Sequence, residues 1–124
     1  MSVLIVDDNP IIRHAIRRFI GEFAGEINEC SDGSVAFDAY RKHAPDLVLM
    51  DIEMPGKDGI SATREICDCF PGAHVVMVTD HDSSEMRVAA TDAGAKDLIG
   101  KENLLALQSL FVQPSAIRSL GVER

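Results

Sequence analysis

Asp46-Leu47-Val48-Leu49-Met50-Asp51 runs straight into Ile52-Glu53-Met54-Pro55-Gly56-Lys57-Asp58-Gly59. The unbroken apolar run Leu47-Val48-Leu49-Met50 shows no alternation with polar residues. It reads as a strand buried on both faces, the kind found inside a parallel sheet. The strand ends on a carboxylate, and Pro55-Gly56 then breaks the chain into a loop. Open α/β sheets bind their ligands at the carboxyl ends of the strands. Asp51 is therefore a metal ligand, a nucleophile or a loop cap.

Four further candidate strands lie on either side. Val3-Leu4-Ile5-Val6 ends at Asp7-Asp8. Ile27 to Cys30 is a short edge strand, His74-Val75-Val76-Met77-Val78-Thr79 ends on a hydroxyl, and Asp97-Leu98-Ile99-Gly100 ends at Lys101. Helical periodicity fills the gaps. Asn9 can cap and Pro10 fits the first position of a helix whose stripe is Ile12, Ala15, Ile16, Phe19, Ile20 and Phe23, with Gly25 ending it. Residues 34–43 form a second helix with Val35, Ala36, Ala39 and Tyr40 inward, stopped by Ala44-Pro45. Residues 60–70 form a third, with Ile60, Thr63, Ile66, Cys67 and Phe70 inward. The fourth, 84–93, has a weak apolar face of Met86, Val88, Ala89 and Ala90, and Gly94 suits the left-handed position after it. Residues 103–111 form the fifth. Pro114 follows, and 115–124 is a weakly helical tail. Five strands alternating with five helices require parallel pairing, right-handed crossovers and helices on both faces. Residues 1–112 are read as one domain and 113–124 as a C-terminal tail.

Composition narrows the function. At 124 residues the chain can bury a core without staples. With 46% hydrophobic and 26% charged residues it is ordinary for a soluble globular protein. Neither a membrane-length apolar run nor an export signal opens the chain, so a cytoplasmic protein is expected. The net charge of -8 argues against nucleic-acid binding by this chain, which needs clustered Lys and Arg. Cys30, Cys67 and Cys69 lack redox or zinc spacing and read as reduced thiols. His14, His43, His74 and His81 are scattered and make no ligand pattern. Arg13, Arg17 and Arg18 fall on the polar side of the first helix, as a solvated face or a docking surface.

If strands one, three, four and five lie side by side, Asp7, Asp8, Asp51, Thr79 and Lys101 converge on one edge. Carboxylates about 4 Å apart repel by roughly 4 kcal/mol per pair at an effective dielectric near 20. A cation must neutralise them, or their pKa values rise. Lys101 supplies one charge; a divalent ion bound by oxygen ligands alone, Mg²⁺, can supply two more. A carboxylate beside Mg²⁺, with an ammonium and a hydroxyl ready for phosphoryl oxygens, is a phosphoryl-transfer site with Asp as nucleophile.

Asp7-Asp8, the segment from Asp51 to Gly59, Thr79, and Ala93-Gly94-Ala95 before Lys101 together resemble the receiver domain of two-component response regulators. The resemblance covers about residues 1–112. It implies a doubly wound, flavodoxin-like (βα)5 sandwich with strand order 2-1-3-4-5. It makes Asp51 the phosphoacceptor. Asp8 would bind Mg²⁺ directly, Asp7 mostly through water, and the Glu53 backbone carbonyl would be a further ligand. Lys101 would pair with the phosphoryl group, and the Thr79 hydroxyl would move onto it as the switch. The implied donor is a phosphohistidine on a sensor histidine kinase or histidine phosphotransfer protein. The implied output is a downstream protein target reading the face from strand four to helix five; phosphorylation-dependent dimerisation stays open. The chemistry would be self-directed, so the chain is not expected to be an enzyme.

Some positions depart from that family pattern. Leu98 stands where many receivers carry an aromatic switch residue, and Glu102 replaces a frequent proline. Asp80 follows Thr79 where a small residue is usual, and is expected to slow attack by small anionic donors. Glu53 and His81 occupy the variable positions that tune phosphoryl lifetime in the family. Two alternatives stand beside the leading reading: the receiver part of a DNA-binding response regulator, and a Mg²⁺-dependent aspartyl-phosphate phosphohydrolase. Hydrolases of that kind tend to place the nucleophile after the first strand.

Overall fold

The computed structural model describes residues 1–112; Pro114 and the tail expected at 113–124 lie outside the described residues. The elements run β1 (Ser2–Val6), α1 (Pro10–Ile20), β2 (Glu26–Cys30), α2 (Ala36–His43), β3 (Leu47–Met50), α3 (Gly59–Cys69), β4 (Val75–Thr79), α4 (Ser84–Ala93), β5 (Asp97–Gly100) and α5 (Ser109–Val112). All four strand pairings are parallel, and the order is β2-β1-β3-β4-β5. This is the doubly wound arrangement. The order reverses direction between β1 and β3, where such sheets bind their ligands.

The period-two pleat sorts each buried strand into two cores. Leu4, Val6, Val48, Met50, Val75 and Met77 face one layer, against Ala36, Ala62, Ile66 and Ala90 of α2, α3 and α4. Val3, Ile5, Leu47, Leu49, Val76 and Val78 face the other, against Ile16 and Ile20 of α1 and Leu107 and Leu110. Strands clad on both sides need no polar alternation, which is why β3 and β4 read as continuous apolar runs. Cys30, Cys67 and Cys69 are free cysteines. Among the described residues, no helix is long and apolar enough to cross a membrane.

Several helix boundaries differ from the periodicity. The stripe of α1 continues through Phe23, but the helix stops at Ile20. The N–H groups of Phe23 and Ala24 both bond the Ile20 carbonyl, and Gly25 N–H reaches Met1 O at 2.7 Å. The chain must turn there to enter β2 beside β1, and Phe23 instead stacks on Phe111 with ring centroids 5.9 Å apart. Val35 does not point inward: it lies in a 3-10 turn, Gly33–Val35, before α2 and is 48% exposed. On α4, Val88 is also exposed, and Met86, Ala90 and Ala93 carry the packing instead. The largest difference is at the end. Residues Lys101–Gln108 form a 3-10 segment with non-helical dihedrals at Asn103, and α5 is a single turn. Leu104, Leu107 and Leu110 recur every three residues, which matches the 3-10 period and keeps all three against the α1 layer.

Gly94 ends α4 in the left-handed region at φ 113°. A Cβ there would lie 2.7 Å from both Cβ and Sγ of Cys67 on α3. Gly94→Ala therefore combines backbone strain with overpacking and is expected to destabilise the domain by about 2–3 kcal/mol. Urea unfolding checks this: the midpoint should fall with an unchanged slope.

Candidate functional site

Sheet geometry brings the acidic residues together. Asp7 and Asp51 are the first residues past β1 and β3, and these strands are neighbours in register, Val6 beside Met50. Asp51 N–H bonds Val6 O at 2.8 Å, and Asp7 N–H bonds Cys30 O at 3.1 Å, so both acids are fixed by ladder continuation. One carboxylate oxygen each from Asp7, Asp8 and Asp51 lies within 4.8 Å of the others. Asp7 and Asp51 are buried, whereas Asp8 is exposed at the rim. Asp7 Oδ1 accepts the N–H of Asn9 at 2.9 Å, which curls the loop into α1.

Lys101 leaves the end of β5 and puts Nζ 3.1 Å from Asp7 Oδ2 and 3.2 Å from Asp51 Oδ1. Its side chain is 11% exposed. Burial pulls the ammonium's pKa down, but contact with Asp7 and then Asp51 outweighs it and the net shift is upward. Asp51 moves the other way from an ordinary carboxylate. Burial, then the charge of Asp7, push its pKa up to about 6 against the opposing pull of Lys101. One ammonium does not neutralise three carboxylates. Asp7 Oδ2 is buried without an aligned hydrogen bond, its contact with Lys101 being an ion pair. An all-oxygen cluster of three carboxylates that share one ammonium fits a hard divalent cation such as Mg²⁺.

The loop after β3 folds back on the strand end. Gly59 N–H bonds Ile52 O at 2.7 Å, and a Cβ at Gly59 would overlap the Asp51 carbonyl. Asp58 caps α3 through Ser61 N–H. Thr79 sits at the end of β4, buried, with Oγ1 accepting the N–H of His81 at 3.0 Å. Leu98 is 4% exposed and belongs to the α2–α4 core layer.

Two features were not read from the sequence. Glu53 and His81 pair across the mouth of the site, His81 Nδ1 to Glu53 Oε2 at 3.0 Å, linking the loops after β3 and β4. Arg13 is not on a solvated face: its guanidinium donates to Glu29 Oε1 at 2.8 Å and to the Asp7 carbonyl at 2.7 Å. The Arg13 spacing from Asp7 and a Glu on the edge strand were visible; their convergence was not, because it depends on where β2 meets α1.

The raised pKa of Asp51 has a definite sign for stability. The folded chain holds a proton that the unfolded carboxyl, near 3.8, releases. The favourable contribution is complete below that value and is lost as pH rises through about 6. Without divalent cations, Asp51→Asn should thus stabilise the domain by roughly 2–3 kcal/mol at pH 8, where the carboxylate is ionised against its burial and the charge of Asp7, and by little near pH 4. Urea unfolding at both pH values measures the difference.

Comparison with known proteins agrees with this geometry. The family model described as the response regulator receiver domain matches residues 3–110. The chemotaxis protein CheY of Halobacterium salinarum is 40% identical over 100 residues, covering 81% of this chain and 83% of that protein. The response regulator UvrY of Escherichia coli K12 is 35% identical over 118 residues, covering 90% of this chain and 54% of UvrY. Among solved structures, a chain of the CheX-CheY-BeF3-Mg²⁺ complex from Borrelia burgdorferi superposes with a TM-score of 0.78 at 29% identity, covering 91% of this chain and 90% of that one. The chain belongs to the response regulator receiver domain family.

Proposed function

We propose that this chain is a phosphorylation-controlled signalling switch in which Asp51 accepts a phosphoryl group from a phosphohistidine. The supporting observation is the contact of the half-buried Lys101 with the buried Asp7 and Asp51 at the strand ends. An Asp51 carboxylate oxygen attacks phosphorus, the P–N bond breaks, and its electron pair returns to the donor imidazole; an acyl phosphate remains on Asp51. Lys101 Nζ, already 3.2 Å from Asp51 Oδ1, pairs with the transferred phosphoryl oxygens. Asp8 and Asp7, with the Asp51 carboxylate and the Glu53 backbone carbonyl, would hold Mg²⁺. When bound, that ion supplies positive charge against both the acids and the phosphoryl oxygens. The BeF3 and Mg²⁺ named with the Borrelia relative support the same chemistry here. Water later hydrolyses the acyl phosphate, so the chain acts on itself and is not an enzyme toward other substrates.

The switch begins at Thr79. Its Oγ1 now accepts from His81 N–H. Turning that hydroxyl toward a phosphoryl oxygen breaks the bond and frees the loop before α4. Because Leu98 is an aliphatic core residue, the signal leaves through the backbone of this loop and the β4–α4–β5–α5 face rather than through a rotating ring. Phosphorylation adds about 1.5–2 negative charges, enough to bias two loop positions.

Donor docking is best placed on α1. A groove of about 510 Å³ is lined by Ile11, His14, Ala15, Arg18, Phe19 and Gln108. Ile11 is 75% exposed, an apolar anchor beside basic groups. The partner is a sensor histidine kinase or histidine phosphotransfer protein. A second reading, the same module as the input half of a longer regulator, is favoured by the coverage of only 54% of UvrY; the intact mass of the native protein distinguishes the two.

Incubation with Mg²⁺ and a phosphohistidine donor should add about 80 Da, one phosphoryl group, on Asp51. Asp51→Asn should abolish the gain, and chelation should slow it at least tenfold. A mass gain retained in Asp51→Asn would contradict the assignment.

A further inference from the structure

Arg13 is 18% exposed, and its two contacts reach different strands. Nε donates to Glu29 Oε1 on β2, and Nη1 donates to the main-chain carbonyl of Asp7. Arg17, one turn later, takes the other oxygen of Glu29 at 2.8 Å and so braces that carboxylate. Burial opposes ionisation of Glu29, but Arg17 and Arg13 outweigh it and lower its pKa, keeping the bracket charged. The Asp7 carbonyl belongs to the peptide unit that joins Asp7 to Asp8. With Asp7 N–H bonded to Cys30 O and Asp7 Oδ1 bonded to Asn9 N–H, the guanidinium supplies the third fixed point on this turn. A peptide plane held in this way sets the direction in which the Asp8 side chain leaves the backbone. A charge-assisted bond to a carbonyl is the stronger kind.

We infer that Arg13 is a positioning residue for the divalent-cation site: braced by Glu29, it holds the Asp7–Asp8 peptide plane so that both carboxylates face Asp51. The inference rests on the reading of the acid cluster as a Mg²⁺ site. Its consequence is opposite in sign to simple electrostatics. A nearby guanidinium repels a divalent cation, so charge alone would make its removal tighten binding; loss of positioning weakens it.

Calorimetric titration of MgCl₂ into the folded protein, well below its melting range, separates these effects. Arg13→Met should weaken Mg²⁺ binding by roughly tenfold, the scale of losses when a residue orienting a metal ligand is removed. Arg13→Lys keeps the charge but not the fork, and should fall between parent and Arg13→Met. Arg41→Met, which removes only an exposed pair with Asp38 on α2, should bind within twofold of the parent. Excess Mg²⁺ should restore the labelling rate of Arg13→Met, because the phosphoacceptor and Lys101 are untouched. A residue that served only to stabilise the fold would lower the melting temperature and leave the dissociation constant of the folded protein unchanged. Equal or tighter Mg²⁺ binding by Arg13→Met, with the parent binding normally, overturns the inference alone. A parent that takes up no Mg²⁺ overturns the reading of the site as well. Should Arg13→Met fail to fold, Arg13→Lys carries the same comparison, and parent-like binding by it is the contrary result.

Discussion

The half-buried ammonium of Lys101, set between the buried carboxylates of Asp7 and Asp51, is the contact on which the site depends. Two acids that belong to adjacent strand ends cannot both stay ionised out of water without a cation between them. Lys101 offsets part of that cost and leaves the remainder as a raised pKa on Asp51 and an unaligned oxygen on Asp7. The remainder is what gives the site its chemistry. A fully neutralised cluster would have no use for a divalent ion, and a fully solvated one would have no drive to hold it. On the proposed role, burial also works against the reactive form of Asp51, since only the ionised carboxylate can attack phosphorus. A cation that lowers its pKa again would therefore improve stability and reactivity together.

The fold supplies this crowding at little backbone cost. Parallel strands end together, and the order 2-1-3-4-5 sets β1 and β3 side by side with β4 and β5 following. Asp7, Asp51, Thr79 and Lys101 then sit at successive positions along one edge, each carried by a strand clad on both faces. Loop contacts refine the arrangement. Gly59 lets the loop after β3 press against the Asp51 carbonyl, Asn9 ties the β1 turn to Asp7, and the Glu53–His81 pair joins the two loops over the mouth. The part proposed to move, the Thr79 hydroxyl with the loop before α4, is held through the His81 N–H, the exposed Glu53–His81 contact and the exposed Asp82–Arg87 pair. Such contacts are weak enough to exchange when a new charge appears.

The architecture was legible because its signals are local. Four-residue apolar runs, each followed by a polar strand end, identify buried parallel strands without knowledge of their neighbours. The convergence of Asp7, Asp8, Asp51 and Lys101 followed once those strands were placed side by side, and the structure brings them together. What was not legible depended on tertiary closure. The stripe of α1 runs on through Phe23, but the need to enter β2 ends the helix at Ile20. Val35 fits a helical face and instead sits in an exposed 3-10 turn. The three-residue spacing of Leu104, Leu107 and Leu110 fits an α-helical face as well as a 3-10 one, so the 3-10 course of Lys101–Gln108 before the α5 turn was not legible from it. Arg13 could be read as a surface charge because its partners, Glu29 and the Asp7 carbonyl, are sixteen and six residues away and meet it only in the fold.

The central claim is that crowding of buried acids creates the demand for a divalent cation beside Asp51, the proposed phosphoacceptor. Carboxyl ¹³C NMR of Asp51, titrated with and without Mg²⁺, addresses it directly. The account requires a pKa near 6 in the absence of the ion and a downward shift when Mg²⁺ is added. A midpoint at the ordinary carboxylate value, unmoved by Mg²⁺, would contradict it.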